Sequence, residues 1–137
     1  AGASTRPGNG SAGSSAADSF FPCPDSWILI TNKCYLFSEK LKSQKESENE
    51  CKRQDAKLAT VKNGRILKLL NTTKQDFWIG LTSRGTEHQG EWTGKWDDEA
   101  IITVTEGRGS CAKFSGGKLI LDSCLQELHW ICEKKPQ

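Results

Sequence analysis

Six cysteines, at positions 23, 34, 51, 111, 124 and 132, constrain this chain more than any other feature. An even count, with no Cys-x-x-Cys pair and no neighbouring histidine cluster, points to structural disulfides rather than to a metal or redox centre. Such bridges persist in oxidising compartments, so the protein is expected outside the cytosol. Six thiols allow fifteen pairings, and spacing alone selects none of them. Proximity favours Cys23 with Cys34 and Cys111 with Cys124, since each intervening stretch reads as strand, turn, strand; Cys51 is then left for Cys132. On the chain-entropy model, bridges closing loops of these sizes contribute roughly 3–4.5 kcal/mol each.

Of the 137 residues, 1–19 are almost wholly Ala, Gly, Ser and other polar types with no hydrophobic period. This stretch reads as a disordered leader, either a stalk fragment or an expression scar, outside the fold. Residues 20–137 have the size of one domain. No run approaches the ~20 apolar residues of a membrane span, so any link to a membrane is expected through an anchor not contained in this sequence. Nineteen basic and seventeen acidic residues are scattered along the chain, for a net charge of +2. Without a basic block or interleaved aromatic residues, nucleic-acid binding is not expected. A mixed-sign surface suits a protein partner.

Residues 27–30 and 34–38 read as strands joined at Thr31-Asn32-Lys33. A helix begins near Ser43, where Ser43 and Glu46 match a capping box. Its inward face, Ser47, Cys51 and Gln54, is so polar that a disulfide rather than apolar burial should anchor it. A second helix fits 63–70, with Asn63 as cap and Ile66, Leu67, Leu69 and Leu70 on its apolar side. Short strands follow at 77–81, 91–96, 111–114, 118–122 and 129–133, with Ser115-Gly116-Gly117 as a hairpin turn. Two helices followed by an antiparallel set is an α+β order.

The series Cys23-Pro24-Asp25-Ser26-Trp27, Cys34-Tyr35-Leu36-Phe37-Ser38, Cys51, Leu58-Ala59, Trp78-Ile79-Gly80-Leu81, Cys111-Ala112 and His129-Trp130-Ile131-Cys132 resembles the C-type lectin-like domain. More narrowly, it is similar to the branch found on natural killer cells and activated lymphocytes. The resemblance implies a double-loop fold with two helices flanking two small antiparallel sheets. It also implies bridges 23–34, 51–132 and 111–124, and a binding surface on the long loop between Leu81 and Cys111. The function it implies is that of an extracellular recognition module, the ectodomain of a type II membrane protein. As partners it implies a protein ligand or receptor, another C-type lectin-like or an MHC-like molecule, and a homodimer of the chain itself. A glycan-binding lectin and a secreted structural or toxin-like subunit are the alternatives. Two departures stand out: Gln44 occupies a position where the family usually has an aromatic residue, and Trp92 and Trp96 are spaced wider than usual.

Sugar-binding members carry a cis proline in the long loop and a Trp-Asn-Asp triplet ahead of the fifth cysteine. Here the four prolines are Pro7, Pro22, Pro24 and Pro136, and the triplet falls on Leu119-Ile120-Leu121, which have no oxygen side chains. Cis peptides belong essentially to proline, and calcium takes six to eight oxygen ligands, so neither calcium nor another cofactor is expected. Asp97-Asp98-Glu99 is the rival acidic cluster, and it reads as a solvated turn. Two histidines, His88 and His129, and cysteines committed to bridges give no nucleophile, base and orienter set, so no catalytic residue is expected. His129 reads as a framework residue.

The partner surface is expected on residues 82–108 with Lys113 and Lys118. Its charged members are Arg84, Glu87, His88, Lys95, Asp97, Asp98, Glu106 and Arg108. Trp92 and Trp96 serve there either as aromatic anchors or as core. Asn71-Thr72-Thr73 and Asn9-Gly10-Ser11 are sequons, the first at the expected end of the second helix and the second in the leader.

Overall fold

The computed structural model describes residues 22–62, 64–83 and 92–137. Strands β1 (Ile28–Ile30) and β2 (Lys33–Phe37) form the expected hairpin, with Ile30 opposite Lys33. Thr31 in the turn between them adopts the left-handed φ of 60°. Helix α1 (Gln44–Lys52) starts on the predicted box: the Ser43 hydroxyl accepts from the Glu46 amide at 3.3 Å and the Glu46 carboxylate accepts from the Ser43 amide at 3.4 Å. A cap of this kind contributes about 1 kcal/mol. Only Ser47 and Cys51 of α1 are buried. Gln54 is not on the inward face as expected, because the helix stops at its cap, Arg53, and leaves Gln54 exposed.

Strand β3 (Lys57–Leu58) separates α1 from α2 (Gly64–Asn71), which buries Ile66 and Leu70 and leaves Leu69 39% exposed. Asn63, the expected cap, lies outside the described residues. The chain continues through β4 (Phe77–Trp78), β5 (Thr82–Ser83), β6 (Trp92–Lys95), β7 (Ile101–Val104), β8 (Cys111–Ser115), β9 (Lys118–Asp122) and β10 (His129–Lys134). Seven strands make the larger sheet, in the order β9-β8-β4-β10-β2-β1 with β3 also on β10; β5-β6-β7 make the smaller one. The double-loop α+β architecture is thus present, with one departure from antiparallel pairing. Strand β4 runs parallel to β10, Phe77 opposite His129 and Trp78 opposite Trp130. Parallel neighbours need a long crossover, and residues 79–128, small sheet included, supply it.

The cysteines pair as 23–34, 51–132 and 111–124, with Cα separations of 5.6, 5.4 and 5.2 Å. Two apolar clusters lie on the two faces of β10: Ile131 joins Tyr35, Phe77, Ile79, Phe114 and others, and Trp130 with Cys132 joins Cys51, Leu58 and Trp78. The fully buried Trp78 indole donates to the carbonyls of Lys42 at 3.1 Å and Gln126 at 3.2 Å. His129 holds the framework position expected for it, its Nδ1 3.1 Å from the Ser38 carbonyl. Among the described residues no helix is long and apolar enough to cross a membrane.

Candidate functional site

Of the long-loop residues singled out above, Trp92 and Lys95 lie in strand β6 of the small sheet and Trp96, Asp97 and Asp98 in the loop that follows it. Trp92 and Trp96 belong to the sheet's core face: they are 3% and 2% exposed, and the Trp92 indole donates to the Ser110 carbonyl at 3.0 Å. Of the two roles expected for them they therefore take core and are corrected as partner-contact residues: both rings join Leu81 and Val104 in one buried cluster, Trp92 from β6 and Trp96 from the position just after it. Between β6 and β7 the Trp96 amide bonds to the Ala100 carbonyl at 2.9 Å, and Glu99 adopts a left-handed φ of 73°. This is a three-residue hairpin loop closed by a left-handed residue.

The three acids of that loop diverge instead of converging. Asp97 accepts from the Thr60 hydroxyl at 2.5 Å and pairs with Lys57. Asp98 accepts from the Ala100 amide at 3.1 Å and pairs with Lys62, whose hydrogen bond holds the carboxyl below its usual range. Glu99 lies 3.6 Å from Lys95. Each carboxylate has its own lysine, and the first two clamp the loop after β6 to β3 and the segment that follows it. Among the described residues no group of three or more His, Cys, Asp or Glu could hold a metal ion. Leu119, Ile120 and Leu121 are half-buried in β9, opposite Phe114, Lys113 and Ala112.

Beside the clamp lies a buried charge that sequence reasoning passed over. Glu133 is 1% exposed. Its carboxylate accepts from Lys33 at 3.1 Å and from the Thr60 amide at 3.0 Å, and Lys57 stands 3.7 Å away. The Tyr35 hydroxyl donates to it as well; burial first, and the Glu133 charge and hydrogen bond second, push that phenol up to about 12. Its partners are dispersed over residues 33 to 60, so no local motif signals the network. Tyr35 is the single tyrosine of the chain, so tyrosinate absorbance reads this site directly. A pKa raised on folding adds stability that is complete below the unfolded value of about 10 and is lost as pH rises through the folded one. The phenol should therefore titrate near 12, in step with alkaline unfolding. An early titration near 10 in folded protein would refute the contact.

Lys113 is corrected as a surface residue. The pleat that turns Ala112 and Phe114 into the core directs Lys113 to the other face, where Asp76 and Asp122 hold it at 2.9 and 2.7 Å with its side chain 15% exposed. Burial opposes its charge, yet these two carboxylates raise its pKa. Asp76 shifts downward: burial works against it, but bonds from Ser115 and Lys113 prevail. Lys118 is 64% exposed and 3.5 Å from Glu106, and Arg108 is exposed. Hence the accessible charges form two groups, Lys95 with Asp97 and Asp98 at one end of β7 and Glu106, Arg108 and Lys118 beyond the other, about 10 Å of strand apart. Ile101, 55% exposed on the outer strand β7, adds apolar surface that the charge pattern did not reveal. Arg84, Glu87 and His88 lie outside the described residues, as does Asn9. Asn71 is the exposed last residue of α2.

Residues 40–134 match the Lectin C-type domain model. The chain belongs to the C-type lectin domain family. Among curated relatives it is 36% identical over 123 residues to human C-type lectin domain family 2 member B, covering 86% of this chain and 79% of that protein. It is 33% identical over 114 residues to mouse C-type lectin domain family 2 member G, covering 82% of this chain and 42% of the relative. With mouse killer cell lectin-like receptor subfamily B member 1B allele B it shares 32% over 120 residues, 82% of this chain and 54% of the relative. The chain thus spans about half the length of these two mouse relatives. Within the C-type lectin family it falls in the natural killer receptor and activation antigen group, whose members named here are receptors and lectin-domain proteins, not enzymes. The fold also matches the mouse scavenger receptor C-type lectin carbohydrate-recognition domain, with a TM-score of 0.65 at 23% identity over 84% of this chain and 98% of that one. The cow CD23 carbohydrate-recognition domain matches with the same score and identity, over 84% of this chain and 97% of its own.

Proposed function

We propose that this domain is the calcium-independent, protein-binding ectodomain of a cell-surface immune receptor or of its lectin-like ligand, and that it has no catalytic role. The observation carrying this reading is the occupation of the family's ligating triplet by Leu119, Ile120 and Leu121, which have no oxygen to give a cation. The loop acids support it, since Asp97 and Asp98 are engaged by Lys57 and Lys62. The partner surface runs along the small sheet: Lys95, Asp98, Glu106, Arg108 and Lys118 form a charged rim and Ile101 an apolar contact within it, a composition typical of protein interfaces. A glycan on Asn71 would keep the end of α2 clear of partners.

A ligand that binds the native state raises its unfolding free energy by mass action. Thermal melts in millimolar calcium and in chelator should therefore superimpose. Fluorescent multimers of the domain should stain leukocytes equally in both, and staining should fall after protease treatment of the cells. A melt shifted upward by calcium, or staining lost in chelator, would end this reading.

A further inference from the structure

Strand β7 reads Ile-Ile-Thr-Val and forms one edge of the small sheet. Every residue in it is β-branched and none is charged, so it has high strand propensity and none of the lysines or prolines that usually blunt an edge. The neighbouring edge of the large sheet, β9, does show such protection: Lys118 and Asp122 stand at its ends, and Gly107 is bridged to Leu121. Pairing with β6 fixes which backbone groups of β7 are left over. The Trp96 amide bonds to the Ala100 carbonyl at 2.9 Å, so 96 and 100 are a hydrogen-bonded pair. Bonded and non-bonded pairs then alternate through Lys95–Ile101, Gly94–Ile102, Thr93–Thr103 and Trp92–Val104. The amides and carbonyls of Ile102 and Val104 therefore point to β6, and those of Ile101 and Thr103 point away from the sheet. Among the described residues nothing bonds to these outward groups. The side chains alternate as well: Val104 is buried and Ile102 packs on the core, while Ile101 and Thr103 are exposed.

We infer that β7 pairs antiparallel with β7 of a second copy of this chain, about a twofold axis at Ile102. That register sets Ile101 opposite Thr103 of the copy, and Thr103 opposite its Ile101, so that every outward amide meets an outward carbonyl. The spacing of the free groups is thus complementary to itself, which is what an isologous contact requires. Identical residues approach one another at such an axis; a charged edge would repel its own copy, and this one carries no charge. The exposed side chains join as Ile101 with Thr103 on each side of the axis, a cross-strand contact between β-branched residues. A four-residue edge is small beside the ~1,200 Å² that a stable interface buries, so the pairing is weak between free molecules. It becomes substantial where copies are held side by side at effective concentrations of about 1 mM. The inference goes beyond the partner-binding reading above and does not depend on it.

In sedimentation equilibrium the average mass of the domain should climb from that of the monomer towards twice that value as concentration approaches about 1 mM. Thr103→Pro removes an outward amide and leaves the β6 ladder whole, so it should fold normally and stay monomeric. Ile101→Lys should also stay monomeric, by placing a charge on the edge. The register is read by mixing Ile101→Cys protein with Thr103→Cys protein in oxidised glutathione. Residues of a hydrogen-bonded pair have Cα atoms about 5.5 Å apart, within disulfide reach, whereas 101 with 101 and 103 with 103 lie on diagonals of about 7–8 Å. The mixed cross-link should therefore predominate over both like pairs. The inference is overturned if the domain stays monomeric at the highest concentration, if a dimer survives in both edge variants, or if the cross-links show no preference for the mixed pair. Should Thr103→Pro fail to fold, Ile101→Lys and the cross-links decide the matter. No binding partner enters this test, so its failure leaves the calcium and staining results untouched, and their failure leaves the dimer result standing.

Discussion

Glu133→Ala should be among the most damaging single substitutions in the domain, costing about 3–5 kcal/mol, as expected when one partner of a buried ion pair is removed. The carboxylate is 1% exposed and is shared by the Lys33 ammonium, the Thr60 amide and the Tyr35 hydroxyl. Deleting it leaves the half-buried Thr60 amide and the buried Tyr35 phenol without their acceptor, and leaves Lys33 and Lys57 with less counter-charge. Glu133→Gln keeps the shape and one acceptor oxygen, so it should fall between alanine and the natural residue. Urea melts of the three proteins check the order. A loss below about 1 kcal/mol for alanine would mean that water replaces the carboxylate at little cost, contrary to the burial of this site.

Replacing both Cys51 and Cys132 by alanine should cost more than removing either of the other bridges. That bridge spans 81 residues against 11 and 13, and the chain-entropy model gives about 4.5 kcal/mol for the long loop and about 3 for the short ones. Helix α1 has Ser47 and Cys51 as its only buried residues, so no apolar contact compensates. Amide exchange should accelerate first in α1, while β2, β4 and β10 stay protected longer. Equal losses for all three bridges, or an α1 still protected in the double variant, would contradict this account.

Much of the fold was legible because the signals were local. Thr31-Asn32 turned the first hairpin, Ser43 and Glu46 capped α1, and Ser115-Gly116-Gly117 joined β8 to β9, each within a few residues. Strands β3 and β5, two residues each, were too short to show a period, and Ile101-Ile102-Thr103-Val104 lacked the alternation that marks a half-buried strand. Parallel pairing of β4 with β10 joins positions about fifty residues apart and leaves no local trace. The same reason hid the site's internal wiring. Lys113 read as an accessible cation because Asp76 and Asp122 meet it only through the sheet, and Asp97 read as a free rim charge because Lys57 and Thr60 reach it from β3 and the residues after it, about forty positions away in the chain. The polarity of α1, by contrast, was plain in the sequence, and with it the need for the bridge that anchors the helix.

The bridge at the start of the fold also determines how the domain bears force. Tension arriving from residues before Pro22 passes through Cys23 into Cys34, which lies in β2, hydrogen-bonded to β10 from Ile131 to Lys134. The edge strand β1 sits inside the loop that this bridge closes and so carries no load. A pull from upstream therefore enters the β2–β10 ladder at the Cys34–Lys134 pair and bypasses β1, instead of peeling β1 away one bond at a time. Opened by reduction, the same tether would unzip from its weakest edge.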